Sequence, residues 1–330
     1  MLNVLQKLCE TNAPSGCEER LHHLIREEIG SLADDIQVDA LGNLIVHKKG
    51  AGKRLMLCAH TDELGVIVTC FGENGEVYVS PLGGVSPYAA LYQRVSFIGG
   101  ATGVVVPADK PEELFKSLKM QSLYVDIGAK SREEAEKMVS LGEAACFCGA
   151  FCVQGDCVTS KALDDRTGCL VLIEAMKRMK SHENDLYFVF TAAEELGLRG
   201  AKAAAGSIKP DFAVAVDVTR TGDVPSSKKM AVRLGDGAAI KIKDSSFLAH
   251  PVIKNTMKEI CEKKSIPYQL EVLEQGGTDA GAIHVMGGGV PSGCISIPTR
   301  YIHTPGEMIH QRDLKAAVDL LTAFIEEGLK

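Results

Sequence analysis

Two histidines and a handful of carboxylates in this 330-residue chain stand where they could bind metal ions. His60 follows the apolar run LMLCA, with Asp62 two positions on. Glu194 and Glu195 follow LYFVF and a short TAA, Asp217 closes FAVAV, and His303 comes shortly after GCISIP. Asp164 and Asp165 open the segment that reads as the next helix. Imidazole and carboxylate together suit divalent ions such as zinc, cobalt or manganese.

Charge favours a pair of ions over one. Two dications against three carboxylate ligands leave about +1, which a bound hydroxide neutralises, whereas one dication leaves excess negative charge buried. A pair needs a bridging carboxylate, and Asp164 is the candidate. His60 and Asp217 then complete one ion, Glu195 and His303 the other. Asp62 lies on the same side of an extended segment as His60 and could fix its tautomer by accepting the second ring N–H. Glu194 is left to act on protons as a general base. Taken singly, each residue has an ordinary explanation: a hydrogen-bonded histidine, an aspartate capping a helix, a solvated glutamate pair, an aspartate forming a turn. Their joint recurrence at strand ends carries the inference.

The elements that must position them alternate strand and helix. The run Leu55–Ala59 is apolar without alternation, as a strand covered on both faces is. After residue 160 come a helix over about 165–180, strand LYFVF, a Gly/Ala-rich helix, strand FAVAV, a helix near 251–264, strand YQLEV, a short helix after Gly277, strand GCISI and a closing helix from about Gln311. That order predicts an α/β domain on a mainly parallel sheet with helices on both faces. In such sheets ligands bind beyond the C-terminal strand ends. At the N-terminus, Ser15–Glu18 reads as a capping box opening the first helix, with Leu21, Leu24, Ile25 and Ile29 on one face. IQVD and NLIVHK then read as a hairpin around Asp39–Gly42. Between residues 64 and 159 short β-rich runs alternate with Gly and Pro, so this stretch reads as a small β-barrel inserted into a catalytic domain of residues 1–63 and 160–330.

Composition narrows the function. Apolar residues make up 45% and charged residues 24%, an ordinary soluble composition. No apolar run approaches the ~18 residues of a membrane span, and the N-terminus lacks a signal-peptide pattern. The net charge of −7 comes without a basic cluster, which argues against nucleic acid. Eleven scattered cysteines suit free thiols in the reducing cytoplasm. Cys146, Cys148, Cys152 and Cys157 match no common zinc-binding spacing and read as small thiols packed on one face of short strands.

With these residues in hand, the chain resembles the M42 family of co-catalytic metallo-aminopeptidases, which includes glutamyl and leucyl aminopeptidases and the tetrahedral TET peptidases. The matching stretches are APSGCEER, DALGNLIV, CAHTDELGVIV, SKALDDRTGC, FTAAEELGLRGA, AVDVT, EQGGTDAGAIH and IPTRYIHTPGEMIHQRDL. In the related M20 peptidases the bridging aspartate follows the first histidine closely; here 104 positions separate His60 from Asp164. The resemblance implies release of N-terminal amino acids from peptides with two divalent ions per subunit, zinc or cobalt, with manganese a further option. It implies His60 and His303 as terminal ligands, Asp164 as the bridge, Glu195 and Asp217 as the remaining ligands and Glu194 as base. It further implies that the insert serves oligomerisation, with dimers assembling to a dodecamer. Gly277, Thr278 and Asp279 sit before a helix and could border the side-chain pocket, though turn formation explains them as readily; Arg300 is a further candidate there, but a structural salt bridge explains it better. The alternatives are a glycoside hydrolase and a metal-dependent deacylase. The first needs carboxylates roughly 5–10 Å apart across the bond, which suits adjacent Glu194 and Glu195 poorly.

Overall fold

A computed structural model of the chain describes residues 1–108, 117–225 and 227–329; residues 109–116, within the expected insert, lie outside them. Strands β1 (Asp35–Val38), β2 (Leu44–Lys48) and β3 (Arg54–His60) come first. Next are β4 (Gly65–Phe71), β5 (Val77–Leu82), β6 (Arg94–Phe97), β7 (Thr102–Pro107), β8 (Leu123–Asp126) and β9 (Ala144–Phe147). The remainder are β10 (Cys152–Gln154), β11 (Cys157–Ser160), β12 (Asp185–Thr191), β13 (Phe212–Thr219), β14 (Ala238–Lys243), β15 (Tyr268–Val272), β16 (Ser292–Arg300) and β17 (Glu307–His310).

The large sheet runs β1-β2-β12-β3-β13-β16-β17-β11-β10, with β14 pairing β16 and β15 pairing β14. Its centre, β12-β3-β13-β16, is parallel throughout, and antiparallel strands flank it on both sides. The unbroken apolar run of β3 has its cause here. Leu55, Leu57 and Ala59 enter one core, packed with the helices Leu2–Glu10, Glu19–Ile29, Leu163–Arg178, Pro251–Lys264 and Gln311–Glu327. Met56 and Cys58 point the other way, into a core shared with Arg199–Ile208 and Asp279–Ile283. Side chains alternate along a strand, so a strand with helices above and below must be apolar at every position.

Strands β4 to β9 close into a six-stranded barrel, β4-β5-β8-β7-β6-β9, around its own core of Val66, Val77, Val95, Phe97, Val105 and Val125. Strands β10 and β11, which follow it in the chain, pair with β17 on the large sheet.

Three local expectations are corrected. The first helix is Leu2–Glu10, ahead of the expected one; Leu5, Leu8 and Cys9 bury its inner face. The Ser15–Glu18 capping box does not form: Ser15 donates instead to Asp62 Oδ2 at 2.6 Å, and Glu18 Oε1 accepts from the backbone N–H of Gly16 and Ala193. The four clustered cysteines do not share one packed face, since Cys146 is buried in β9 while Cys152 is exposed on β10.

One buried ion pair braces the far edge of the sheet. Lys241 on β14 donates to Glu271 on β15, both fully buried, and Thr219 Oγ1 donates to the same carboxylate at 2.7 Å. Burial disfavours the ammonium, but Glu271 outweighs it and holds the Lys241 pKa above its ordinary value. Removing one partner of such a pair strands a buried charge and costs about 3–5 kcal/mol. Lys241→Met should therefore lower the urea unfolding midpoint sharply, and the double variant Lys241→Met, Glu271→Leu should recover most of the loss. An unchanged midpoint in the single variant would contradict this account.

Candidate active site

Register explains how residues far apart in sequence meet. Thr191 at the end of β12 lies level with His60 at the end of β3. Ala215 of β13 pairs with Cys58, so Asp217, two positions on, comes level with His60 as well. The turn Ala192–Glu195 continues from β12, and His303 follows β16 at a positive φ of 68°. Asp164 and Asp165 sit in the non-helical start of Leu163–Arg178, which brings them under the same strand ends.

Asp164 is central. Its Oδ1 lies 3.0 Å from His60 Nε2, and its Oδ2 lies 3.5 Å from His303 Nε2. Glu195 Oε1 stands 3.6 Å from the same His303 nitrogen. Two overlapping groups could each hold an ion, their donor atoms lying within 4.8 Å of one another: His60, Asp164 and Glu195, and His60, Asp165 and Asp217. His60, Asp164, Glu194, Glu195, Asp217 and His303 line one cleft of about 280 Å³.

Asp62 does more than the sequence suggested. His60 Nδ1 faces the Asp62 main-chain carbonyl at 3.0 Å, with the carboxylate slightly farther at 3.5 Å. That carboxylate accepts from the backbone N–H of Glu194 at 3.0 Å and of Glu195 at 3.2 Å, so it fixes the glutamate turn.

Two residues without a role assigned from sequence complete the support. Glu307 accepts from His303 N at 2.9 Å and from Asp164 N at 3.0 Å, tying two site segments together. Asp165 accepts from His60 N and Gly168 N beneath the cleft. A signal for Asp165 was present as the second member of an Asp-Asp pair. Glu307 carried none, because only the fold places it beside Asp164.

The expected pocket residues divide. Gly277 lines the cleft. Thr278 and Asp279 are buried behind it, and Asp279 accepts from Thr191 Oγ1 at 2.5 Å. Arg300 is held by Asp223 at 2.8 and 3.2 Å. It borders an adjoining cavity of about 450 Å³ whose other cations are Arg220, Lys228 and Lys229.

Electrostatics shows what the cleft lacks among protein groups. Burial and surrounding carboxylates push Glu194, Asp217 and Glu307 well above the usual carboxylate range, and Glu195 rises to about 7. Burial opposes a charge on His303, yet Asp164 and Glu195 lift it to about 9. So many buried acids in contact call for more positive charge than two imidazoles supply. The donor set of nitrogen and oxygen ligands fits divalent cations.

Nitrogen and oxygen donors thus gather at the strand ends of a parallel α/β sheet, where they could hold divalent cations. The sequence profile of the M42 glutamyl aminopeptidase family matches residues 42–320. A putative aminopeptidase of Acetivibrio thermocellus is 51% identical over 325 residues, covering 98% of each chain. Among solved structures, an aminopeptidase from the archaeon Desulfurococcus kamchatkensis superposes with a TM-score of 0.95 at 40% identity, covering 99% of this chain and 94% of its own. The TET1 peptidase of Pyrococcus horikoshii, which can assemble into a tetrahedron or a large octahedral shell, gives 0.88 at 34% identity, covering 99% of both chains. The chain belongs to the M42 family of metal-dependent aminopeptidases and is a peptide hydrolase.

Proposed function

We propose that this chain is a co-catalytic aminopeptidase that holds two divalent cations and removes single residues from peptide N-termini. The observation that carries it is Asp164, whose two carboxylate oxygens face two different imidazoles, those of His60 and His303. One carboxylate between two ligand groups is what a bridged pair needs. His60 and Asp217 would complete one cation site, Glu195 and His303 the other. Zinc and cobalt suit this mixed donor set, with manganese a further option. When bound, such ions polarise the scissile carbonyl and make water a nucleophile near neutral pH.

The chain's own groups supply the rest. Glu194 lines the cleft, and burial together with Asp217, Asp279 and Glu195 raises its pKa above the usual carboxylate range, so it accepts a proton more readily than an exposed glutamate. It takes a proton from the attacking water and delivers it to the departing amine. Asp62 holds Glu194 and Glu195 in place through their backbone N–H groups. Arg220, Lys228 and Lys229 around the adjoining cavity oppose a basic first side chain.

A panel of aminoacyl-anilides and short peptides, each free or N-acetylated, tests this. The expected result is release of N-terminal residues from the free forms, near-complete loss on acetylation, and lysyl or arginyl substrates cleaved more slowly than glutamyl ones. Cleavage of the acetylated amino acids instead would mark a deacylase. Further readings go with this one: the six-stranded barrel within residues 64–159 acts as the assembly insert, whereas β10 and β11 at the end of that stretch belong to the large sheet; dimers join into a dodecamer, and the free thiols suit the cytoplasm. Light scattering should then give about twelve times the 35.3 kDa chain mass. Among the described residues no helix is long and apolar enough to cross a membrane.

A further inference from the structure

The barrel has a core of its own, yet one of its turns reaches into the cleft. Strand β5 ends at Leu82, and the next two residues, Gly83 and Gly84, turn the chain toward the short helix Pro87–Ala90. Gly84 lines the cleft beside Glu195 and His303. A Cβ built on Gly84 would stand 2.9 Å from His303 Nδ1 and 3.0 Å from Cε1 of the same ring. A Cβ on Gly83 would meet Glu195 Cβ at 3.0 Å and Leu64 Cδ2 at 2.4 Å. The backbone of this turn therefore lies flush against both side chains.

The two glycines are required for different reasons. Gly83 has φ +81°, a left-handed conformation that side-chain-bearing residues rarely adopt. Gly84 carries no such backbone demand, so its lack of a side chain answers to the imidazole alone. The ring is caught between the turn on its Nδ1 side and Asp164 and Glu195 on its Nε2 side. Contact on both sides limits how the ring can rotate or withdraw.

We propose that the Gly83–Gly84 turn of the barrel is a positioning element for His303 and Glu195, so that the insert takes part in building the cleft. This rests on the reading of those two side chains as the holders of one cation. Gly84 acts through His303 and touches no reacting atom. A methyl at Gly84 would stand 2.9 Å from Nδ1, too close for a real contact, so the ring is pushed from its place beside Asp164 and Glu195.

The test is cobalt binding to the metal-stripped full-length protein, followed by calorimetry and visible absorbance, in wild type, Gly84→Ala and Gly288→Ala. A Cβ at Gly288 meets nothing within 4 Å, which makes that variant the control. Gly84→Ala should weaken one of two binding steps by about 10- to 100-fold and alter the spectrum of that step, as loss of ligand orientation does. Gly288→Ala should match wild type. Two wild-type-like steps with the wild-type spectrum in Gly84→Ala would overturn the proposal. Failure of the wild-type protein to bind two cobalt ions would instead overturn the dinuclear reading. Should Gly84→Ala also lower the melting temperature, that loss must disappear in a His303→Ala background, where the ring struck by the methyl is gone. Its persistence there would place the damage elsewhere and defeat the proposal.

Discussion

Glu194→Gln should lower kcat by about 10²- to 10⁴-fold, the range that a positioned general base contributes, while leaving the fold and bound cations in place. The substitution keeps size and shape but removes the ability to accept a proton. Its backbone N–H still donates to Asp62, so the turn that presents Glu195 is retained. Substrate affinity should change little, because Glu194 is assigned proton transfer and no part in holding cations or side chains. Steady-state kinetics paired with a metal assay would show this as a fall in kcat at near-constant KM with unchanged metal content. Wild-type turnover in this variant would remove Glu194 from its role. Loss of metal would instead make it a ligand.

Removing the cations should abolish activity and also destabilise the protein in a pH-dependent way. Without cations the cleft holds Glu195 with a pKa raised to about 7 and His303 raised to about 9. A carboxyl group whose folded pKa is raised binds more protons folded than unfolded, so its stabilising protonation is lost as pH climbs through 7. A histidine with a raised folded pKa contributes fully below about 6.5 and loses that contribution as pH climbs through 9. Both act in the same direction. The metal-stripped protein should lose stability steadily between about pH 5 and 9, and added metal should raise the melting temperature more at pH 8 than at pH 5.5. At a hundredfold excess over Kd, each site adds about 2.7 kcal/mol. Thermal scans of stripped and reloaded protein at the two pH values measure this, and equal shifts at both would contradict the cleft electrostatics.

Much of the candidate site's geometry was legible because strand ends in a parallel sheet are legible. The apolar runs before His60, Glu194 and Asp217 identify buried parallel strands, and residues just past the ends of such strands face the ligand crevice. The register of β12, β3 and β13 then sets Thr191, His60 and Asp217 in one row. The barrel was legible from its short β-rich runs, which close as β4 to β9.

Other parts depended on contacts between distant segments. Glu307 looks like a surface glutamate in sequence; only the pairing of β17 with β11 and β16 carries it beside Asp164. Ser15 and Glu18 fit a local capping motif, but a tertiary partner won each of them, Asp62 in one case and the Ala193 N–H in the other. Arg300 offered a substrate contact or an ion pair, and Asp223, 77 positions away, supplies the ion pair. The helix Leu2–Glu10 is hard to read from sequence because so short a segment gains its stability from packing on Leu163–Arg178 more than from its own propensity. Strands β14 and β17 come after turn-rich stretches and are too short to show a period.

The most direct measurement is a titration of metal-stripped protein with zinc or cobalt, following bound metal per chain and hydrolysis of an unblocked aminoacyl-anilide together. Two ions per chain at full activity, no hydrolysis in excess chelator, and no cleavage of the N-acetylated substrate at any metal loading are the predicted results. Full activity at one ion per chain, or hydrolysis that persists in chelator, would contradict a co-catalytic pair held at Asp164.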